Sequence, residues 1–197
     1  MEFIYEIENA LPKEMCEEMI QRYKDDNNKT DSRLAGGIID KSIRSSKSLL
    51  ITGDKKWKDM DDILFKKLNE GLKEYYNYLK KYTTEKVTNS VVSFIRDEGY
   101  WIQEMKTGDF YDWHVDFDGD TQTNIHGNRT ITAIWYLNTL DEDQGGCTEF
   151  WGGKKVRPKQ GTLLFFPSTW TYIHRGAPVK NSGVKYTCIT WLNKKNT

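Results

Sequence analysis

The sequence predicts an α+β, mainly β chain, built as an antiparallel sandwich or barrel with helices packed against its outside. Three observations carry that prediction. Apolar residues recur at helical spacing through the first third of the chain. After about Thr84, short β-rich runs alternate with turn clusters. No helix-length periodic segment separates those runs, which argues against the parallel crossovers of an α/β fold.

Taken in order, the elements begin with Leu11, Met15, Met19, Ile20 and Tyr23, spaced three and four apart behind Pro12. They describe an amphipathic helix of about four turns, ended by the polar stretch Asp25–Ser32. A stronger pattern runs Trp57, Met60, Leu64, Leu68, Leu72, Tyr75, Tyr76, Leu79, with Lys58, Asp62, Lys66, Lys73 and Lys80 on the other face. Such stripes of aromatics and methionines read as core-facing sides of helices rather than cofactor boxes. The predicted strands are Val87–Arg96, Tyr100–Lys106, Thr130–Asn138, Cys147–Trp151, Thr162–Phe166, Tyr172–His174 and Lys185–Leu192. Turn signals such as Asp97-Glu98-Gly99, Gly145-Gly146, Gly152-Gly153 and Asn181-Ser182-Gly183 stand between them. The most loop-like stretch, Phe117–Asn128, reads as a lid beside a site or as a solvated connection.

Length and charge bound the function. A chain of 197 residues suits one domain over 1–197, with 1–84 a mostly helical support and 85–197 the β core that carries the site. Lys plus Arg equals Asp plus Glu at 29 each, so there is no basic excess, which argues against a bulk nucleic-acid binder. No apolar run is long enough to span a membrane. The first residues, Met-Glu-Phe-Ile-Tyr-Glu, carry an acid where a secretory signal wants a positive charge. Cys16, Cys147 and Cys188 lie far apart without a CxxC pair, which fits a reducing interior. The expected location is cytoplasmic.

Only three histidines occur, His114, His126 and His174, so their placement is informative. On an extended strand His114 and Asp116 would face one side and form half a metal site. His174, at the head of a later strand, is the candidate third ligand. Two histidines and one carboxylate leave open coordination positions, as in non-haem Fe(II) oxygenases. A structural zinc site would close all four positions with protein ligands. By itself HxD…H also fits two satisfied core histidines. Lys185, Thr187, Ile189 and Trp191 share one face of the last strand. A lysine on an inward face needs an anion, and a dicarboxylate would supply one; the alternative is a face turned to solvent. His126 reads as a solvent or substrate-edge residue. The acidic run Asp116, Asp118, Asp120 lacks the glycine and glutamate of a calcium loop.

The sequence resembles the prolyl 4-hydroxylase branch of the Fe(II)- and 2-oxoglutarate-dependent dioxygenases. The matching blocks are Gly108–Asp116, Arg129–Asn138, Gly145–Phe150, Val156–Pro158, Gly161–Pro167 and His174–Trp191, in the family's order. Arg44-Ser45-Ser46 resembles the family's Arg-x-Ser segment, so the likeness covers about Ile43 to Leu192. It implies a double-stranded β-helix, or jelly roll, with N-terminal bracing helices, in agreement with the reading above. Carried over by position, it implies that His114, Asp116 and His174 bind Fe(II), and that Lys185 holds the distal carboxylate of 2-oxoglutarate. Tyr136 and Trp191 match residues beside the same cosubstrate. Arg129 matches an arginine associated with substrate, with a solvated charge at a strand start as the alternative. Tyr111 stands close enough to His114 to bond near the site, or is a packed core tyrosine.

The resemblance further implies hydroxylation of a peptidyl proline in a peptide or protein, with O2 consumed, succinate and CO2 released, and ascorbate as a reductant. A free amino acid, another side chain or a nucleobase is the alternative substrate, and a non-catalytic jelly-roll metal-binding module is the alternative class. Two positions depart from the family. Met105 stands where many relatives have the tyrosine of a Tyr-x-x-Gly turn, and Lys185 lies eleven residues past His174 where ten is usual, with Lys180 as a rival.

Overall fold

The computed structural model describes residues 3–34, 37–92, 95–117 and 129–194. The stretch read as a lid lies outside these residues from Asp118 to Asn128, and His126 lies outside them too. Helix α1 (Lys13–Asp25) starts after Pro12, whose fixed φ suits a helix entry, and buries Cys16, Met19 and Tyr23. Helix α2 (Lys58–Leu79) buries Met60, Leu64, Leu68, Tyr75 and Leu79, the stripe that its spacing predicted. Gly71 lies on the same face, where a Cβ would come within 2.7 Å of Leu163 and 3.0 Å of Phe165. A bare backbone there lets the helix lie close on the sheet.

Among the described residues twelve strands form two sheets, and every ladder between them is antiparallel. The large sheet runs β1 (Tyr5–Ile7), β10 (Leu163–Pro167), β7 (Arg129–Tyr136), β12 (Val184–Lys194), β5 (Trp101–Lys106), β3 (Lys47–Leu50), β2 (Thr30–Asp31), and β4 (Ile95–Asp97) also pairs with β12. The small sheet runs β6 (Tyr111–His114), β11 (His174–Gly176), β8 (Thr148–Phe150), β9 (Lys155–Val156). One core packs α1 and α2 on the large sheet through residues such as Leu64, Trp135, Phe165 and Cys188. A second core lies on the other face, where Ile134, Tyr136, Phe150 and Phe166 meet.

Three readings of local structure change. Residues predicted as the strand Val87–Arg96 begin with a helix instead, α3 (Glu85–Val92), and only Ile95–Asp97 pair as a strand. A β-branched run suggested a strand, but Thr88 gives its hydroxyl to the Thr84 carbonyl and joins a helical turn. The first third also holds β1, β2 and β3, each four residues or fewer. Strands that short carry too few residues for an alternation to register. Of Tyr172–His174 only His174 is strand, because Trp170–Tyr172 form a 3-10 turn that ends at its doorstep.

Candidate active site

The site grows from an irregularity in the small sheet. His174 on β11 faces His114 on β6, yet two residues on, Gly176 faces Tyr111, so three steps on β6 oppose two on β11. This is a β-bulge, which re-aims side chains along the bulged strand. Tyr111 and His114 thereby turn to the same side, their rings stacked with centroids 3.5 Å apart. Strand β6 ends at His114, and Asp116 lies past it in a bend. The expected strand presentation of His114 and Asp116 is therefore corrected: the two converge through a turn of the backbone.

Convergence is tight all the same. Asp116 has one carboxylate oxygen 3.7 Å from His114 Nε2 and the other 3.5 Å from His174 Nε2. One donor atom from each of the three residues lies within 4.8 Å of the others, the only such group of three among the described residues. Both imidazoles are oriented alike. His114 Nδ1 lies 2.7 Å from the Asp112 carbonyl and His174 Nδ1 lies 3.1 Å from the Tyr172 carbonyl. A carbonyl only accepts, so each Nδ1 carries the hydrogen and each Nε2 keeps its lone pair for a ligand. Burial, reinforced by His174, pushes the His114 pKa down to about 3, which keeps that ring neutral. Three inward donors, with no fourth among the described residues, fit an open-sided metal.

Lys185 shares the cavity with the triad. The residues Lys185, Thr187, Ile189 and Trp191 all line it, so this face of β12 points inward. Lys185 is 4% exposed, and no carboxylate among the described residues pairs with it. Its Nζ sits 5.6 Å from the Tyr136 ring centre. Desolvation pushes its pKa down to about 8, the mark of a buried cation that lacks an anion. Lys180, the rival, is exposed in the turn and absent from the cavity lining. Asn181 and Ser182 absorb the extra residue with left-handed φ values of 46° and 60°. Tyr136 is fully buried and donates its hydroxyl to Thr148 Oγ1 at 2.7 Å. Met105 faces Lys185 across the β5–β12 pair and lines the same cavity, so a thioether stands where a hydroxyl was missed.

Arg129 is not a solvated charge. It is 9% exposed, donates from Nε to Glu98 Oε1 at 2.8 Å, and stacks 3.9 Å above the Trp191 ring. Asn193 Nδ2 donates to the same Glu98 oxygen at 2.8 Å. Two residues of this wall escaped the sequence reading as site residues. Glu98 sits in a turn tripeptide and read only as a turn signal. Arg44 is 8% exposed, stacks 4.5 Å over Tyr111 and gives one nitrogen to the Arg33 carbonyl at 2.8 Å. Its Nε is buried without a hydrogen-bond partner among the described residues. The signal available for Arg44 was its place in the Arg-x-Ser block, which carried family likeness but no stated chemistry. Outside the triad the cavity widens into a groove of about 840 Å³, lined by Arg44, Glu98, Trp101, Tyr111, Arg129 and Trp191 among others.

Against known proteins, the sequence model of the 2OG-Fe(II) oxygenase superfamily matches residues 100–193, the span that holds the triad and Lys185. Over that span the chain reads as a 2OG-Fe(II) oxygenase. That match, the His-Asp-His group and the fold together make it a dioxygenase and imply Fe(II) and 2-oxoglutarate. Among solved structures, the viral collagen prolyl hydroxylase of Paramecium bursaria Chlorella virus-1 is similar, with TM-score 0.66 and 23% identity over 98% of this chain and 97% of that one. A Trichoplax adhaerens prolyl hydroxylase, solved with a hypoxia inducible factor peptide fragment, gives TM-score 0.74 and 19% identity over 98% and 84%. A Pseudomonas putida prolyl-4-hydroxylase gives TM-score 0.66 and 16% identity over 98% and 94%. At these identities the oxygenase shares their double-stranded β-helix fold. No curated protein matches the sequence significantly. No helix among the described residues is long and apolar enough to cross a membrane.

Proposed function

We propose that this oxygenase hydroxylates a prolyl residue in a peptide or protein. The observation that carries the reading is the open groove of about 840 Å³ beside the triad, which offers more room than a free amino acid needs. Its walls mix aromatic faces (Trp101, Tyr111, Trp191) with buried guanidinium (Arg44, Arg129), groups suited to ring packing and to backbone carbonyls. Solved relatives of the same fold are prolyl hydroxylases, one of them with a peptide fragment, which supports the same substrate class.

In this reading His114, Asp116 and His174 would hold Fe(II), with the two Nε2 atoms and the Asp116 carboxylate as its donors. When bound, iron with 2-oxoglutarate supplies the O2-dependent hydroxylation that releases succinate and CO2. The chain's own residues do the rest. Lys185 anchors a carboxylate and regains the charge partner that burial denies it. Trp191, Ile189 and Met105 exclude water from the inner cavity. Arg44 and Tyr111 form the wall from which the groove opens, so they orient the substrate against the triad. Ascorbate, if used, would act as an external reductant.

The test follows succinate release from 2-oxoglutarate with Fe(II), with and without a proline-rich peptide, beside His174→Ala. Peptide-stimulated succinate with a mass gain of one oxygen on proline is expected, and none from His174→Ala. Iron-dependent succinate that free amino acids stimulate and peptides do not would overturn the peptidyl reading.

A further inference from the structure

Asp116 is held without a strand. Because β6 ends at His114, no ladder hydrogen bonds fix residues 115–117. The positions around Asp116 are instead tied from the large sheet. The Phe117 amide donates to the Ser168 carbonyl at 3.0 Å, and the Ser168 amide donates to the Thr130 carbonyl at 3.0 Å. Arg129 reaches the Asp116 carbonyl at 3.3 Å. The carboxylate itself accepts from Thr132: Thr132 Oγ1 lies 2.6 Å from Asp116 Oδ2. Ser168 Oγ lies 2.9 Å from Thr132 Oγ1.

The direction of this relay follows from counting hydrogens. A carboxylate only accepts, so the single hydroxyl hydrogen of Thr132 goes to Asp116. Ser168 must then be the donor to Thr132. Thr132 is 0% and Ser168 1% exposed, so water competes with neither bond. Thr132 thereby takes one acceptor site of Oδ2, which also lies 3.5 Å from His174 Nε2, while Oδ1, 3.7 Å from His114 Nε2, accepts no hydrogen bond among the described residues.

Resting on the oxygenase reading above, we infer that Thr132 and Ser168 are positioning residues that confine Asp116 to a single metal-binding oxygen. The consequence reaches the chemistry. A carboxylate free to turn could bind a metal through both oxygens and fill one more coordination position. Two histidines and a one-oxygen carboxylate keep three positions of an octahedral ion open. A chelating cosubstrate together with O2 would use that room. A hydroxyl pair outside the ligand set therefore sets how many positions the site offers.

The test uses Mn(II), whose binding is read by calorimetry and whose bound waters are counted by water-proton relaxation, with no turnover involved. Thr132→Val keeps the shape and removes the hydroxyl. It is expected to weaken Mn(II) roughly 10–100-fold, the usual effect of losing a ligand's hydrogen-bond partner. It should also lower the relaxation enhancement per bound ion by about a third, since one of three open positions closes. Thr132→Ser restores the donor and should stay within about threefold of wild type on the same grounds. Ser168→Ala, which leaves the Thr132 bond to Asp116 in place, should weaken binding by the smaller factor and covers the case in which Thr132→Val does not fold. Wild-type affinity and relaxation in folded Thr132→Val, or in Ser168→Ala should that be the only folded variant, overturn the inference while leaving the metal centre intact. Absence of Mn(II) binding to the wild type would instead overturn the metal centre on which it rests.

Discussion

At the scale of single residues, Lys185 is the most informative side chain outside the triad. Its folded pKa of about 8 lies below the usual 10.5, so between those values the unfolded chain binds a proton that the folded chain does not. Stability therefore rises with pH through that window. Below about pH 8 the buried charge opposes folding by about 3 kcal/mol. Lys185→Met, which fills the same space without charge, should melt higher than wild type at pH 7, and the gain should fade towards pH 10.5. The same variant should need far more 2-oxoglutarate. Thermal melts across pH, paired with 2-oxoglutarate titrations, check both halves; a variant that is less stable at pH 7 would show that the lysine is already paired. This trade of stability for a binding charge is what functional sites show elsewhere. The sequence made Lys185 legible as an inward-or-outward question, and only the fold answered it.

At the scale of elements, the helices are tied to one another and to the sheet by a few buried polar contacts. Asp26, just past α1, accepts from Trp57 Nε1 at 3.0 Å, from the Asn28 amide at 2.8 Å and pairs with Lys56 at 2.8 Å, joining the end of α1 to the start of α2. Burial opposes its charge, but these donors outweigh it and hold the carboxyl at about 2. A folded pKa below 3.8 gives stability that is present above about pH 4 and lost as pH falls towards 2. Asp26→Ala strands the Trp57 N–H, and about 1–3 kcal/mol of stability should be lost in urea denaturation. An unchanged midpoint would mean that water replaces the carboxylate. The helices were readable because their stripes run for three or more turns. Strands β1, β2 and β3 were not, since two to four residues offer no alternation to read, and α3 was hidden by β-branched residues inside a single short helix.

At the scale of the whole molecule, the site joins two sheets. His114 and His174 come from the small sheet, while Asp116 is gripped from the large one through Thr132 on β7 and through Ser168 just past β10. A metal bound by all three would cross-link the two layers. It should stabilise the protein by mass action, about 2.7 kcal/mol at a free concentration of 100 Kd. Added Mn(II) should raise the melting temperature and slow hydrogen exchange in β6 and β11, and a chelator should reverse both. Exchange that slows only in the large sheet would contradict a centre shared by both layers. Arg129 adds a second brace across the same gap, linking Glu98, Trp191 and the Asp116 carbonyl.

The sequence by itself determined the class of fold and the two long helices, and it marked His114, Asp116 and His174 as candidates that the family resemblance then joined into a triad. Those features rest on local periodicity and on residue chemistry, both of which are written along the chain. The tertiary structure decided the rest. It turned the face of Lys185, Thr187, Ile189 and Trp191 inward, placed Arg129 in a buried network, and set Arg44 and Glu98 on the groove wall. It also replaced the expected strand at Asp116 with a bend held by Thr132 and Ser168. The physical reason is the same in each case. Which side of a strand faces the core depends on its partners' register, and a hydrogen bond between residues 16 or 36 apart depends on how the sheets stack.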